Sequence, residues 1–476
     1  MEQSKIVGTI IFSLVYLIIG ISIIIFTPHH LTDSEYANYL TLTMCYFIVA
    51  GLFLLSYIAT NMNLFEPIIF VTFLYLMIFS IIPIINIIKG DTLFFGKDIM
   101  GGAKKATWIF VTSYIAFLVG YYFKKNTPKM KENIDKKSIG RISYDESKIT
   151  LISLIFWIIF FLLSLIDLII SGKNILYILT IGTLGDIDSS RKIDAPTGFV
   201  SMFGYSMIPI WMYIFAYSKN SFLKKVLYVL TLIVFIVIGF RFVIVILIMA
   251  PIIYYYIKNK KTPNIILLIF LGVIMMFMIG LIGFMRGDVR YGNETQWDSF
   301  NFDFVMDAVI GNFNLYQPFY GMVEVIPDQL GYSFGAQIFV YTIIMFIPRA
   351  IWPNKPYSNL DEVLAKSVTP YASDAGIAFP NIGEFYLEFG IVGCIVFMFF
   401  FGKLCGWAKI LYQGKNTSVH SLIAYSIFLP SLMQLIIRGY TPSNFYLMVF
   451  LLLPIIIIES LTKKGGDYRE HSRKSN

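Results

Sequence analysis

Apolar runs long enough to cross a bilayer recur along almost the whole chain, and they leave it few folds. A membrane helix needs about 20 mainly apolar residues, and in hydrocarbon every backbone N–H and C=O must be satisfied within the segment. Runs near that length fall at 6–27, 39–60, 67–88, 106–123, 149–170, 199–217, 226–240, 242–257, 264–285, 385–412, 418–437 and 441–461. They predict an all-α polytopic integral membrane protein of about 12 transmembrane helices, with both termini on one side because the count is even. A mean hydropathy of +0.73 excludes an ordinary soluble domain. The first run has the length of a span rather than of a cleavable leader, so it is expected to stay as the first helix. Between the ninth and tenth runs lies one long polar stretch. The chain therefore divides into helices over 1–285, a large loop over 286–384, and a last group of helices with a tail over 385–476.

Basic residues decide the sides. The formal charge of +8 fits lysine-rich cytoplasmic loops, and no nucleic acid is needed to explain it. Lys124, Lys125, Lys129, Lys131, Lys136, Lys137, Arg141 and Lys148 crowd one loop. Lys219, Lys224 and Lys225 mark a second, Lys258, Lys260 and Lys261 a third, and the tail carries Lys463, Lys464, Arg469, Arg473 and Lys474. All of these fall on one side, so both termini are expected in the cytoplasm and the large loop outside. Lys89, Lys97, Lys104 and Lys105 run against this and would lie outside, where Lys104 and Lys105 can snorkel from a helix end. Two hairpins follow, one turning near Gly239-Phe240-Arg241 and one at Arg438-Gly439-Tyr440-Thr441-Pro442. Both turns emerge on the face of the large loop.

Within that loop, 296–313 alternates apolar and acidic residues and predicts an amphipathic helix at the membrane surface. The run 339–347 is apolar but about half the length of a span, so it predicts a re-entrant or interfacial helix ending at Pro348. Arginine is costly near hydrocarbon and its fork suits phosphate oxygens. Arg241, Arg286, Arg290, Arg349 and Arg438, with Lys355 nearby, form an outer-face set. Some of them can equally hold lipid headgroups or fold the loop. The loop carries five basic and eleven acidic residues, so an anionic ligand needs a local arginine pocket rather than a general field. Glu384, at the mouth of a membrane helix, is the first candidate for a general base, ahead of Asp288 and Asp361. Asp186-Ile187-Asp188 has a metal-binding spacing but reads better as a turn. Tyr316, Phe319, Tyr320, Tyr357 and Tyr371 offer faces for sugar rings or form an interfacial belt. Cys45, Cys394 and Cys405 read as packing residues, and the four histidines are too scattered for a zinc site. No Gly-rich phosphate loop with Lys-Ser or Lys-Thr exists, so nucleotide hydrolysis has no support.

Three motifs carry a family resemblance. Pro348-Arg349 to Trp352-Pro353-x-Lys355-Pro356 resembles the loop motif of Wzy-type O-antigen or oligosaccharide repeat-unit polymerases. Gly383-Glu384-x-Tyr386-x-x-Phe389-Gly390-x-x-Gly393 resembles the helix mouth that follows it. Gly239-x-Arg241 resembles an arginine turn shared with O-antigen ligases. The likeness extends over most of the chain as architecture, many helices with one large late loop. It implies a GT-C-like glycosyltransferase architecture, metal-independent and without a cofactor. It also implies undecaprenyl-pyrophosphate-linked oligosaccharides as donor and acceptor on the outer face of the bacterial plasma (inner) membrane. A flippase and a chain-length regulator of the same pathway are the implied protein partners, with membrane lipid around them. In that reading Arg241, Arg349 and Glu384 are catalytic, and Arg286, Arg290, Lys355, Arg438 and Tyr440 bind pyrophosphate or sugar. The ligase branch implies a catalytic histidine in the outer loop, and this loop has none. A flippase would show repeated halves and broken mid-membrane helices, and the sequence shows no repeat.

Overall fold

The structure is a computed structural model. It describes residues 2–27, 31–60, 62–123, 145–170, 201–238, 241–261, 310–311, 313–347, 351–356, 360–367, 378–413 and 417–463. The helices that matter below are α1 (Glu2–Ile25), α2 (Asp33–Ala59), α3 (Pro67–Lys89), α4 (Ala103–Tyr122), α5 (Glu146–Ile170), α6 (Met207–Tyr217), α7 (Ser221–Ile238), α8 (Arg241–Lys258), α9 (Tyr316–Val325), α10 (Leu360–Ser367), α11 (Asn381–Ala408), α12 (Val419–Ile437) and α13 (Thr441–Thr462). A short antiparallel hairpin, Leu93–Phe94 with Lys97–Asp98, joins α3 to α4.

Seven helices among the described residues are long and apolar enough to cross a membrane: α1, α2, α3, α5, α11, α12 and α13; α8 adds a shorter apolar helix, Phe242–Lys258. Within the expected runs at 106–123, 199–217 and 226–240 the described residues form α4, a 3-10 turn over Ser201–Ser206 leading into α6, and α7. The run 264–285 and the amphipathic stretch 296–309 lie outside the described residues. The expected hairpin break between Ile437 and Thr441 is present; at the other expected turn α7 extends to Ile238 and α8 from Arg241, and residues 239–240 lie outside the described residues.

Local chemistry sets the ends and bends. Thr32 accepts the Glu35 N–H while the Glu35 carboxylate accepts the Thr32 N–H, a reciprocal cap that starts α2. In α3, Pro83 has no N–H to give and its ring crowds the preceding turn, and the ladder widens to a π turn over Met77–Ile81 just before it.

The core is built on α4 lying against α11. The two backbones come so close that a side chain on Gly120 would collide with the Phe399 carbonyl, and one on Gly402 with the Phe117 carbonyl. Gly406, one turn on, faces Tyr121 in the same way. Small residues four apart are how helices pack when lipid supplies no hydrophobic drive. Aromatic rings fill the rest, with Phe79 stacked on Phe110 at 4.3 Å and edge-on to Phe319 at 5.8 Å. Tyr316, Phe319 and Tyr320 are thus buried core residues of the loop helix α9, at most 2% exposed, and not a sugar platform or an exposed belt.

At one end of the bundle the large loop docks onto the link between α3 and α4. Lys97 donates to the Ser367 carbonyl at 2.8 Å, and Lys105 to the Val323 carbonyl at 3.3 Å. These carbonyls end α10 and α9, where unsatisfied oxygens and the helix dipole favour a cation. Two of the four lysines that run against the charge rule, Lys97 and Lys105, therefore hold the loop to the bundle. At the opposite end, Glu66 pairs with Lys409 at 2.8 Å and accepts the Tyr121 hydroxyl at 2.8 Å. The described lysines of the expected cytoplasmic loops, Lys148, Lys219, Lys224, Lys225, Lys258, Lys260, Lys261 and Lys463, flank the helix ends there.

Candidate functional site

The site begins with a break in a helix. α11 starts after the extended Pro380, runs two turns, and stops at Phe389–Gly390 before resuming. Gly390 has φ 62° and ψ −146°, a backbone region open essentially to glycine alone. The break leaves the carbonyls of Leu387 and Glu388 free, and they accept the N–H groups of Ser333 and Phe334 at 2.9 and 3.0 Å. Every residue of the short segment Asn381–Glu388 is buried.

Two carboxylates stand one turn apart on this segment, both at most 1% exposed. They do matching work. Both oxygens of Glu384 accept the Thr441 N–H at 2.9 Å, and one also accepts the Thr441 hydroxyl at 2.7 Å. Thr441 opens α13, whose first N–H groups have no partner within the helix. Glu388 accepts the N–H groups of Gly335, of Gln337 at 2.8 Å and of Ile338 at 3.2 Å. These begin the π-helical segment Ala336–Tyr341, which has no side-chain cap of its own. A carboxylate is well placed at either spot, because helix N-termini carry partial positive charge.

The arginine turn lies beside this pair. Gly439 donates to the Phe379 carbonyl at 2.8 Å, which ties the turn to the mouth of α11. The Arg438 guanidinium sits 5.9 Å over the Phe242 ring, next in sequence to Arg241. Arg241 itself is the first residue of α8. Tyr440 is half-buried at the start of α13. The Asn444 amide donates to the Arg438 carbonyl at 2.5 Å. The carboxamide oxygens of Asn444 and Gln434 are buried and accept nothing among the described residues. Such oxygens suit hydroxyl donors from a ligand. Farther along α13, the Tyr446 hydroxyl donates to the Thr342 carbonyl at 2.7 Å, and its ring stacks on Phe346 at 6.3 Å. Lys355 returns to the end of that segment through the Ile347 carbonyl at 3.2 Å. The expected re-entrant stretch 339–347 is thus a short helical piece pinned to α13, well short of a span.

Of the residues singled out from the sequence, Glu384, Arg438 and Tyr440 come together, with the start of α8 beside them and Lys355 on the adjoining segment. Arg286, Arg290, Arg349, Asp288 and Asp186-x-Asp188 lie outside the described residues. Glu388, Thr441, Asn444, Gln434 and Phe242 were not anticipated. One signal for Glu388 was available: a second glutamate four residues after Glu384 in an otherwise apolar run. Among the described residues, no group of three or more His, Cys, Asp or Glu is placed to hold a metal ion.

Compared with known families, residues 9–465 match the family described as O-antigen polysaccharide polymerase Wzy. No curated protein and no solved structure matches the chain.

Proposed function

The chain belongs to the O-antigen polysaccharide polymerase Wzy family, and from that premise we propose that it joins lipid-linked oligosaccharide repeat units into a surface glycan. The donor and acceptor are undecaprenyl-pyrophosphate-linked units. The reaction takes place on the outer face of the bacterial plasma membrane, with both termini in the cytoplasm. Lysines at the bundle end opposite the large loop support that orientation. A flippase delivers the units and a chain-length regulator limits the product.

In the proposed step a sugar hydroxyl of the incoming unit attacks the anomeric carbon of the growing chain. A glycosidic C–O bond forms as the bond from that carbon to the pyrophosphate oxygen breaks. The electron pair leaves on the lipid pyrophosphate and the hydroxyl proton passes to a carboxylate. The leaving group is already good, so fixed positive charge on its phosphates helps more than a strong acid, and no metal is invoked. Arg438 and Arg241 are the proposed cations on the described part of the site, with Arg286, Arg290, Arg349 and Lys355 completing it. Glu384 is the proposed base. Tyr440 and the open oxygens of Asn444 and Gln434 are proposed to orient sugar hydroxyls.

The observation that carries this reading is the meeting of the Arg438 turn, the start of α8 and Glu384 at the foot of the loop. Purified protein in lipid nanodiscs, given undecaprenyl-pyrophosphate repeat units, should build a ladder of longer chains and release one lipid pyrophosphate per bond. Arg438→Ala should slow it by about a hundredfold. Wild-type rates in that variant would take Arg438 out of the site.

A further inference from the structure

Glu388 takes no part in the step above, yet it too is buried, at 0% exposure. A buried carboxylate is costly unless fully hydrogen-bonded. Its partners are three backbone N–H groups at the start of one segment, from Gly335, Gln337 and Ile338. No salt bridge accompanies them among the described residues. Gly335, at φ 89°, turns the chain so that these amides converge. The far end of the same segment is held by Tyr446 of α13, through Thr342 and Phe346. The near end of α13 is in turn held by Glu384 through Thr441.

These contacts close a circuit. Glu384 and Glu388 lie one turn apart on a rigid, buried piece of helix. One fixes α13 with the Arg438 turn beside it, and the other fixes the segment that ends at Ile347, whose carbonyl accepts from Lys355. We propose that Glu388 is a positioning residue for polymerisation, setting the distance between the Arg438 turn and Lys355, whose ammonium is held on the Ile347 carbonyl at the end of the segment Gly335–Ile347. This rests on the polymerase reading and adds a role to it. Two cationic elements that must grip one pyrophosphate need a fixed separation, and a shift of about 1 Å costs about a hundredfold in rate.

The test compares wild type, Glu388→Gln and Gly335→Ala in the nanodisc elongation assay, with rates normalised to folded, monodisperse protein. Glu388→Gln removes the charge and at least one of the accepted bonds. Gly335→Ala leaves the carboxylate intact but strains the segment, since the new methyl would meet the Phe339 ring at 2.8 Å. Both variants should lose about a hundredfold in kcat with KM changed less than about threefold, because binding groups remain while their spacing is lost. Glu388→Asp should recover part of the rate. A purely structural role would lower the folded yield but leave kcat per folded molecule at the wild-type value, and that result overturns the proposal. Where Glu388→Gln gives no folded protein, Gly335→Ala decides in the same way. If wild type itself fails to elongate, the polymerase reading falls first. If wild type elongates and the variants match it, only the positioning role falls.

Discussion

Glu384 spends both carboxylate oxygens on one residue, Thr441. That bond pattern holds the arginine turn, and it also blocks the oxygens that a base needs. For Glu384 to act as the proposed base, the Thr441 hydroxyl must yield its place to a sugar hydroxyl. Glu384→Gln separates the two roles, because an amide oxygen still accepts the Thr441 N–H but takes no proton. The expected result is a kcat loss of at least about a hundredfold with folding preserved; a variant that turns over at the wild-type rate would leave Glu384 as a clasp alone. At the loop's docking face, burial pushes the Glu324 carboxyl above the ordinary glutamate range, opposed by the Gly102 backbone N–H and by Lys97. A raised folded-state value means the protonated form favours the docked loop. That contribution is full at acid pH and fades as pH climbs from the ordinary glutamate range through the raised value. Thermal unfolding against pH should show Glu324→Gln gaining on wild type over that climb and matching it at the acid end. Parallel curves for the two proteins would contradict it.

At the scale of elements, the sequence reading and the structure part company in an informative way. Helix positions and hairpin breaks were legible because hydrophobic run length and Gly, Arg and Pro punctuation are local signals. The pairing of α4 with α11 was not, since Gly120, Gly402 and Gly406 declare their meaning only when two distant helices touch. The broken start of α11 was hidden for the same reason, as an apolar run reads straight through Phe389–Gly390. The candidate site was half legible. Arg438, Tyr440 and Glu384 stood out as polar groups beside apolar runs, while Glu388, within an apolar run, did not. The role of the exceptional Lys97 and Lys105 was not legible locally, because the carbonyls they cap lie more than 200 residues away. Gly402→Ala tests the helix pairing. Its methyl would strike the Phe117 carbonyl, so the variant should lose about 1–3 kcal/mol of stability, read as a lower unfolding temperature in detergent. An unchanged transition would mean that α4 and α11 can separate freely.

For the whole molecule, the division of labour runs between the two ends of the bundle. One end carries the docked loop, the arginine turn and the paired glutamates. The other carries the lysine-bearing helix ends and the pair of buried Glu66 with Lys409. That arrangement suits an enzyme that meets its substrates from one side only. The central claim, that the protein lengthens lipid-linked glycans on the outer face, is tested most directly by the sizes and location of those glycans in cells. They should be compared with the gene intact, with the gene removed, and with Arg438→Ala. The account predicts a full ladder with the gene intact, and single repeat units accumulating on the outer face in the other two. Single units trapped on the inner face after gene removal would show a protein that moves the units across, and would contradict it.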